Sequence, residues 1–170
     1  MQAQLYSIQG LSTGHISIAA RPRGGDWLID EIKNLREAGV DTLVSLLTED
    51  EVNHFKLHEE AAYCREQDIS YCTFPIEDRC VPPFSASTFA FLTELHMQFK
   101  QGKHIAVHCR QGLGRAVLIA ASLLVLNGIS PEQAFEQLSK ARGYTVPETE
   151  EQRAWVITFA QQRQHLPIPL

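Results

Sequence analysis

Residues 103–128 constrain the fold more than any other stretch of this chain. KHIAVH, at 103–108, predicts a short apolar strand. CRQGLG turns on two glycines, and RAVLIAASLLVLN, at 115–127, predicts an apolar helix that Gly128 stops. A strand that feeds through a glycine turn into a helix of this kind belongs to an alternating α/β architecture.

The remaining segments repeat the alternation. HISIA at 15–19 predicts a strand. Trp27, Leu28, Ile32 and Leu35 recur at helical spacing, with Asp26 in N-cap position and Gly39 as the stop. VDTLVSLL at 40–47 reads as a buried parallel strand, 57–67 as a helix, and 69–74 as a strand closed by Pro75. Phe91, Leu92, Leu95 and Phe99 mark a helix that ends near Gly102, after a loop at 78–87 that holds the Pro82-Pro83 pair. Ser130-Pro131-Glu132-Gln133 opens a helix to about Arg142 with a capping serine, a proline at the first helical position and a glutamine at the third. Thr149-x-x-Gln152 repeats the capping pattern and opens a last helix, with Trp155, Val156 and Phe159 on one face. The predicted fold class is α/β, with a mostly parallel central sheet flanked by helices. In such sheets ligands bind at the carboxyl ends of the strands.

The 170 residues, 44% hydrophobic and 21% charged, suit one domain spanning 1–170. A net charge of -5 argues against a dedicated nucleic-acid binder, while a small positive site for an anionic substrate stays compatible with it. Cys64, Cys72, Cys80 and Cys109 are too few for a disulfide scaffold and form no CxxC pair. Cys64 and Cys72 are expected in the core. MQAQLYSIQG lacks the pattern of a secretory signal, and no run of about 18 apolar residues occurs. The expectation is a soluble cytoplasmic protein with reduced thiols and no membrane association; no oligomeric state is read from the sequence. Histidines 54, 58, 96 and 104 show no ligand spacing, so neither a metal site nor a cofactor is expected.

The chemistry concentrates in Val107-His108-Cys109-Arg110-Gln111-Gly112-Leu113-Gly114-Arg115. Two glycines allow a tight turn whose successive N–H groups point inward, and such a nest at a helix N-terminus binds a tetrahedral oxyanion. Arg115 closes the ring with a planar pair of donors. Cys109 on the floor of this bowl is favoured as the thiolate and becomes a nucleophile. A buried cysteine beside a glycine-rich turn is the plainer alternative, against which five positions fit one pattern.

His108-Cys109-x-x-Gly112-x-Gly114-Arg115 resembles the HCxxGxGR signature of the cysteine-dependent protein-tyrosine and dual-specificity phosphatases. Phe74-Pro75-Ile76-Glu77-Asp78-Arg79-x-x-Pro82 resembles the acid loop of the compact dual-specificity branch, with its kinase-associated-phosphatase-like and bacterial members. The similarity runs over roughly residues 15 to 160. Low-molecular-weight tyrosine phosphatases and arsenate reductases place the acid after the cysteine, and rhodaneses lack the GxGR ending, so both fit poorly.

The resemblance implies hydrolysis of a phosphate monoester, on a phosphorylated protein or a small molecule. Cys109 attacks phosphorus and forms a phosphocysteine. The amides of Arg110, Gln111, Gly112, Leu113, Gly114 and Arg115, with the Arg115 guanidinium, hold the oxygens. Asp78 gives a proton to the leaving group and later takes one from water. By spacing alone Glu77 is Asp78's equal as the acid; the resemblance favours Asp78. His108 is expected to orient the cysteine loop. The family usually has Ser or Thr after the arginine, and here Ala116 stands there, which predicts slow hydrolysis of the phosphocysteine. Ala116 also feeds the alternative of a weakly active or inactive module that binds phosphorylated partners.

Five further positions carry two readings each. Gln152 either caps its helix or positions water, with capping preferred. Arg142 either binds substrate phosphate or ends its helix. Arg21 and Arg23 either line the approach to the site or are solvated, with solvation preferred. Cys80 is either an incidental loop cysteine, which is preferred, or a resolving thiol for Cys109.

Overall fold

The computed structural model describes residues 4–163. Five strands form one sheet: β1 (Leu5–Ser7), β2 (His15–Ala19), β3 (Thr42–Ser45), β4 (Ser70–Thr73) and β5 (His104–His108). Their spatial order is β1-β2-β5-β3-β4. β5 lies between β2 and β3 and is parallel to both, β3 is parallel to β4, and only β1 runs antiparallel, on the edge beside β2.

Side-chain alternation along the strands builds two cores. On one face Ile16, Ile18, Val44, Ile105 and Val107 meet α4 (Ala86–Lys100), α5 (Arg115–Leu126), α6 (Pro131–Arg142) and α7 (Glu150–Arg163) through Leu92, Leu95, Phe99, Leu118, Phe135, Trp155 and Phe159. On the other face Leu43 and Ala106 meet α1 (Leu28–Glu37) and α3 (Glu60–Glu66) through Leu28, Ile32, Leu35 and Cys64. α5 has no solvent face, since every residue from Arg115 to Val125 is buried. An apolar helix of that kind is stable only when enclosed. A further short helix, α2 (Glu49–His54), follows β3.

The predicted α/β class and its mostly parallel sheet hold, and the predicted strands and helices fall where expected to within a few residues. Ser130 caps α6 as read, accepting from the Gln133 N–H while the Gln133 side chain accepts from the Ser130 N–H. Asp26 does not cap α1. The chain enters that helix through a 3-10 turn at Gly25–Trp27, so Asp26 lies inside the turn and Trp27 occupies the cap position with no side-chain bond. β1 and α2 were not foreseen. Among the described residues no helix is long and apolar enough to cross a membrane.

Candidate active site

The carboxyl ends of the four parallel strands share one edge of the sheet, where Ala19, Ser45 and His108 are in register and Thr73 is paired with Ser45. Four connections leave from there. The one after β2 carries Arg21, the one after β3 enters α2 with Glu51, the one after β4 carries Asp78, and the one after β5 is the cysteine loop. A bowl of about 150 Å³ opens among them, lined by Asp78, Arg79, Cys109, Arg110, Gln111, Leu113, Arg115 and Glu148.

The cysteine loop is held from outside, carbonyl by carbonyl. The Arg110 carbonyl accepts from the Arg21 N–H at 3.4 Å, and that of Leu113 from the Glu148 N–H at 3.0 Å. Arg142 donates to the other two, through Nη2 to Gln111 O at 2.9 Å and through Nε to Gly112 O at 3.1 Å. In a trans peptide the N–H points opposite to the C=O. Tying these four carbonyls outward therefore turns the N–H groups of Gln111, Gly112, Leu113 and Gly114 inward. One of them, on Gly112, donates to Cys109 Sγ at 3.3 Å. Gly112 has φ +72°, and a Cβ there would meet the Ala19 carbonyl at 2.9 Å, so glycine is what lets the loop close against β2. The role of Arg142 is thus to hold the loop; the Arg142 guanidinium also rests on the Tyr6 ring of β1, 4.0 Å from its centroid.

Arg115, the first residue of α5, is 1% exposed. Its guanidinium makes a fork-to-fork pair with Glu51, Nη1 to Oε2 at 2.7 Å and Nη2 to Oε1 at 2.8 Å. Nη1 also donates to the Ile76 carbonyl at 2.8 Å, and Nη2 to Asp78 Oδ1 at 3.2 Å. Burial alone would lower the Arg115 pKa, but the Glu51 hydrogen bond and the surrounding negative groups raise it. Burial likewise pushes Glu51 up, and the bonds from Arg115 and from the Thr48 backbone bring it net below the usual carboxylate value. Glu51 is missing from the sequence reading, although its local signal was present. Thr48-x-x-Glu51 is a capping-box pattern, and the structure shows the box formed at the start of α2. That box is what aims Glu51 at Arg115.

Behind the cysteine loop His108 is fully buried. Its Nε2 shares a hydrogen bond with Glu60 Oε1 at 2.7 Å, and its Nδ1 donates to the Cys109 carbonyl at 3.3 Å. The carbonyl can only accept, which places a proton on Nδ1. Burial opposes a positive charge on the ring, and the interaction with Glu60 outweighs it, so the His108 pKa is net raised. Glu60 Oε2 accepts from the Tyr71 hydroxyl at 2.9 Å. Burial and then Glu60 push the Tyr71 hydroxyl above its ordinary range, which keeps its proton in place to donate. The network confirms the expected placement of His108 at the strand end and adds two partners, Glu60 and Tyr71, that no local motif announces.

Asp78 lies on the connection between β4 and α4, as read, and is 45% exposed at the mouth of the bowl. Arg110 approaches its second oxygen at 4.0 Å. Arg79, at φ +63°, turns the chain directly after it. The connection is pinned beyond the turn. Cys80 O accepts from Gln152 Nε2 at 3.3 Å, Pro82 O accepts from Trp155 Nε1 at 2.8 Å, and Phe84 stacks on Trp155 at 4.8 Å. Glu77 is exposed and is not part of the bowl's lining. Gln152 departs from the capping reading. Its N–H does donate to Thr149 Oγ1 at 3.1 Å, but its side chain is buried under Cys80 instead of returning to Thr149. Arg23 pairs with Glu31 at 2.7 Å. All four cysteines are free; burial pushes Cys64 up to about 12 and Cys72 up to about 11, so both remain thiols.

Comparison with known proteins agrees with this geometry. Residues 9–165 match the family model described as "Swiss Army Knife protein, DSP-PTPase phosphatase domain". Cyclin-dependent kinase inhibitor 3 of Homo sapiens is 28% identical over 131 residues, which is 76% of this chain and 61% of that protein. The chain thus spans about 61% of the length of the curated relatives it first matches. Among solved structures, kinase associated phosphatase with serine in place of its catalytic-site cysteine superposes with a TM-score of 0.85 at 23% identity, covering 100% of this chain and 99% of that one. The active form of Tk-PTP follows at 0.74 and 21%, covering 94% and 97%.

Proposed function

Because the chain belongs to the DSP-PTPase phosphatase domain family, we propose that it hydrolyses phosphate monoesters through a phosphocysteine on Cys109, acting on phosphorylated protein. The observation that carries this reading is the convergence, in one bowl, of Cys109 Sγ, inward backbone amides, the Arg115 guanidinium and the Asp78 carboxyl group.

The phosphate of the substrate sits over Cys109 with its oxygens on the amides of the cysteine loop and on Arg115. The thiolate sulfur attacks phosphorus in line, the S–P bond forms and the P–O bond to the leaving group breaks. Asp78 donates its proton to the departing oxygen. A water molecule then attacks the phosphocysteine, Asp78 takes its proton, and inorganic phosphate and the Cys109 thiolate are released. His108 lies behind the nucleophile and holds its carbonyl through Nδ1, which positions the cysteine loop. The shared position of Asp78 and Arg115 favours Asp78 over Glu77 as the acid. The names of the relatives support phosphoprotein as the substrate class, and the free thiols suit a reducing compartment such as the cytoplasm. The described residues act as one catalytic domain.

The test is turnover of an aryl phosphate and of phosphopeptides by the wild type and Cys109→Ser. The expected result is hydrolysis by the wild type and a loss of about 10³-fold or more in the variant. Equal rates for the two proteins would overturn the reading.

A further inference from the structure

Arg142 ends α6 and reaches back to the cysteine loop, where Nη2 donates to the Gln111 carbonyl and Nε to the Gly112 carbonyl. Each of these carbonyls shares a peptide unit with an inward N–H. The Gln111 carbonyl is joined to the Gly112 N–H, which donates to Cys109 Sγ at 3.3 Å, and the Gly112 carbonyl is joined to the Leu113 N–H. A bond to a peptide carbonyl polarises the whole unit and strengthens the donor at its other end. The charge of Arg142 is therefore felt, through one peptide, where the nucleophile and the substrate oxygens meet.

No carboxylate holds that charge. Among the described residues Arg142 forms no ion pair. Two tyrosine rings meet it instead. Its guanidinium carbon stands 4.0 Å from the Tyr6 centroid and 5.5 Å from the Tyr144 centroid. The fold delivers both rings. Tyr6 is paired with Ile18 of β2, packs on the core of the helical face, and belongs to a strand that lies against α6. Gly143 closes α6 in the left-handed conformation at φ +77°, and the chain that turns there brings Tyr144, 64% exposed, beside Arg142. A ring face attracts a cation without carrying a net charge. A carboxylate in the same place would cancel the field that Arg142 exerts on the loop. The tyrosines fix the guanidinium and leave its charge uncancelled.

We propose that Tyr6, seconded by Tyr144, is a positioning residue for the phosphate cradle: its ring face sets the Arg142 guanidinium against the Gln111 and Gly112 carbonyls, and Arg142 acts through those two peptides on the bound phosphoryl group. This rests on the phosphatase reading above and deepens it, since it makes the edge strand β1 part of the site.

The experiment is a double-mutant cycle between Tyr6→Leu and Arg142→Gln, read by the inhibition constant of inorganic phosphate and by kcat/KM on an aryl phosphate. Tyr6→Leu should weaken phosphate about fivefold and lower kcat/KM by a similar factor, the effect of losing one partly buried contact between a cation and a ring. In the Arg142→Gln background the same substitution should change either quantity by less than about twofold. Tyr6→Phe keeps the ring and should stay within about twofold of the wild type. Additive losses in the double variant would overturn the proposal, because Tyr6 would then act on the fold and not through Arg142. So would equal losses in Tyr6→Phe and Tyr6→Leu, or a Tyr6→Leu variant indistinguishable from the wild type. Should Tyr6→Leu unfold at the assay temperature, Tyr144→Ala, on an exposed side chain, takes its place in the cycle, with a loss of about twofold that vanishes in Arg142→Gln. A loss that persists there, or none in the otherwise wild-type chain, overturns the proposal. If the wild type turns over no aryl phosphate, it is the catalytic reading that fails, and calorimetry with inorganic phosphate on the same proteins decides the positioning role by the same cycle.

Discussion

Glu51→Gln isolates the electrostatic hold on Arg115. Glutamine keeps the size of the side chain and can still complete the capping box with Thr48, so α2 should persist. What disappears is the negative charge behind two short hydrogen bonds to a guanidinium that is 1% exposed. A hydrogen bond between charged groups contributes about 1 to 1.5 kcal/mol more than a neutral one. The glutamine amide must also turn one N–H group toward a donor. Two such bonds suggest a loss of about 3 kcal/mol. The Glu51 side chain is 15% exposed, so solvent screening reduces this to about 2 kcal/mol. For a chain of this length the corresponding fall in Tm is about 4 to 8 °C. A misplaced Arg115 should lower kcat/KM on an aryl phosphate about 10- to 30-fold.

The pH dependence follows from the direction of the Glu51 shift. Its folded pKa lies below the ordinary value near 4.5, so its stabilisation is fully present above that value and is lost as pH falls through the folded pKa. The stability gap between wild type and Glu51→Gln should therefore be constant from about pH 6 to 7 and narrow below about pH 4.5. Thr48→Ala, which breaks the box and keeps the charge, should cost about 1 kcal/mol of stability and affect kcat/KM less. Thermal unfolding and steady-state kinetics on the three proteins decide the matter. A Glu51→Gln variant within about 1 °C and about twofold of the wild type would refute the reasoning.

Asp78→Asn should lower kcat on an alkyl phosphate about 10²-fold or more and much less on a phosphate with a good leaving group, while Glu77→Gln stays near wild type on both; parallel losses in the two variants would remove Asp78 from the acid role. Ala116→Ser should raise steady-state turnover and shrink the pre-steady-state burst, as measured by stopped flow. Arg142→Lys replaces the planar fork that holds Gln111 and Gly112 with a single point donor, so kcat/KM should fall about tenfold and inorganic phosphate should bind more weakly, as read by inhibition.

The fold was legible wherever apolar periodicity, caps and glycine stops coincide. β5, α5 and α6 each carry such marks, and Cys109, Arg115 and Asp78 come together because a parallel sheet gathers its carboxyl ends at one edge. β1 escaped notice because three residues carry no period, and its pairing depends on β2 being there to receive it. Glu51 had a readable cap, but its contact with Arg115 spans 64 positions and becomes visible only once β3 and β5 are neighbours. Glu60 and Tyr71 show no local pattern at all: a carboxylate on a short helix looks solvated until a buried histidine faces it. Gln152 was misread because its sequence satisfies a cap that its side chain, buried beneath the connection that carries Asp78 and Cys80, does not make.

The most direct test of the central claim is a rapid-quench experiment with an aryl phosphate labelled on phosphorus. The account predicts an acid-trapped phosphoenzyme that approaches one phosphate per chain, carries its label on Cys109 by peptide mass mapping, and is absent from Cys109→Ser. Turnover with no trapped phosphoenzyme, or label on another residue with Cys109→Ser still active, would contradict it.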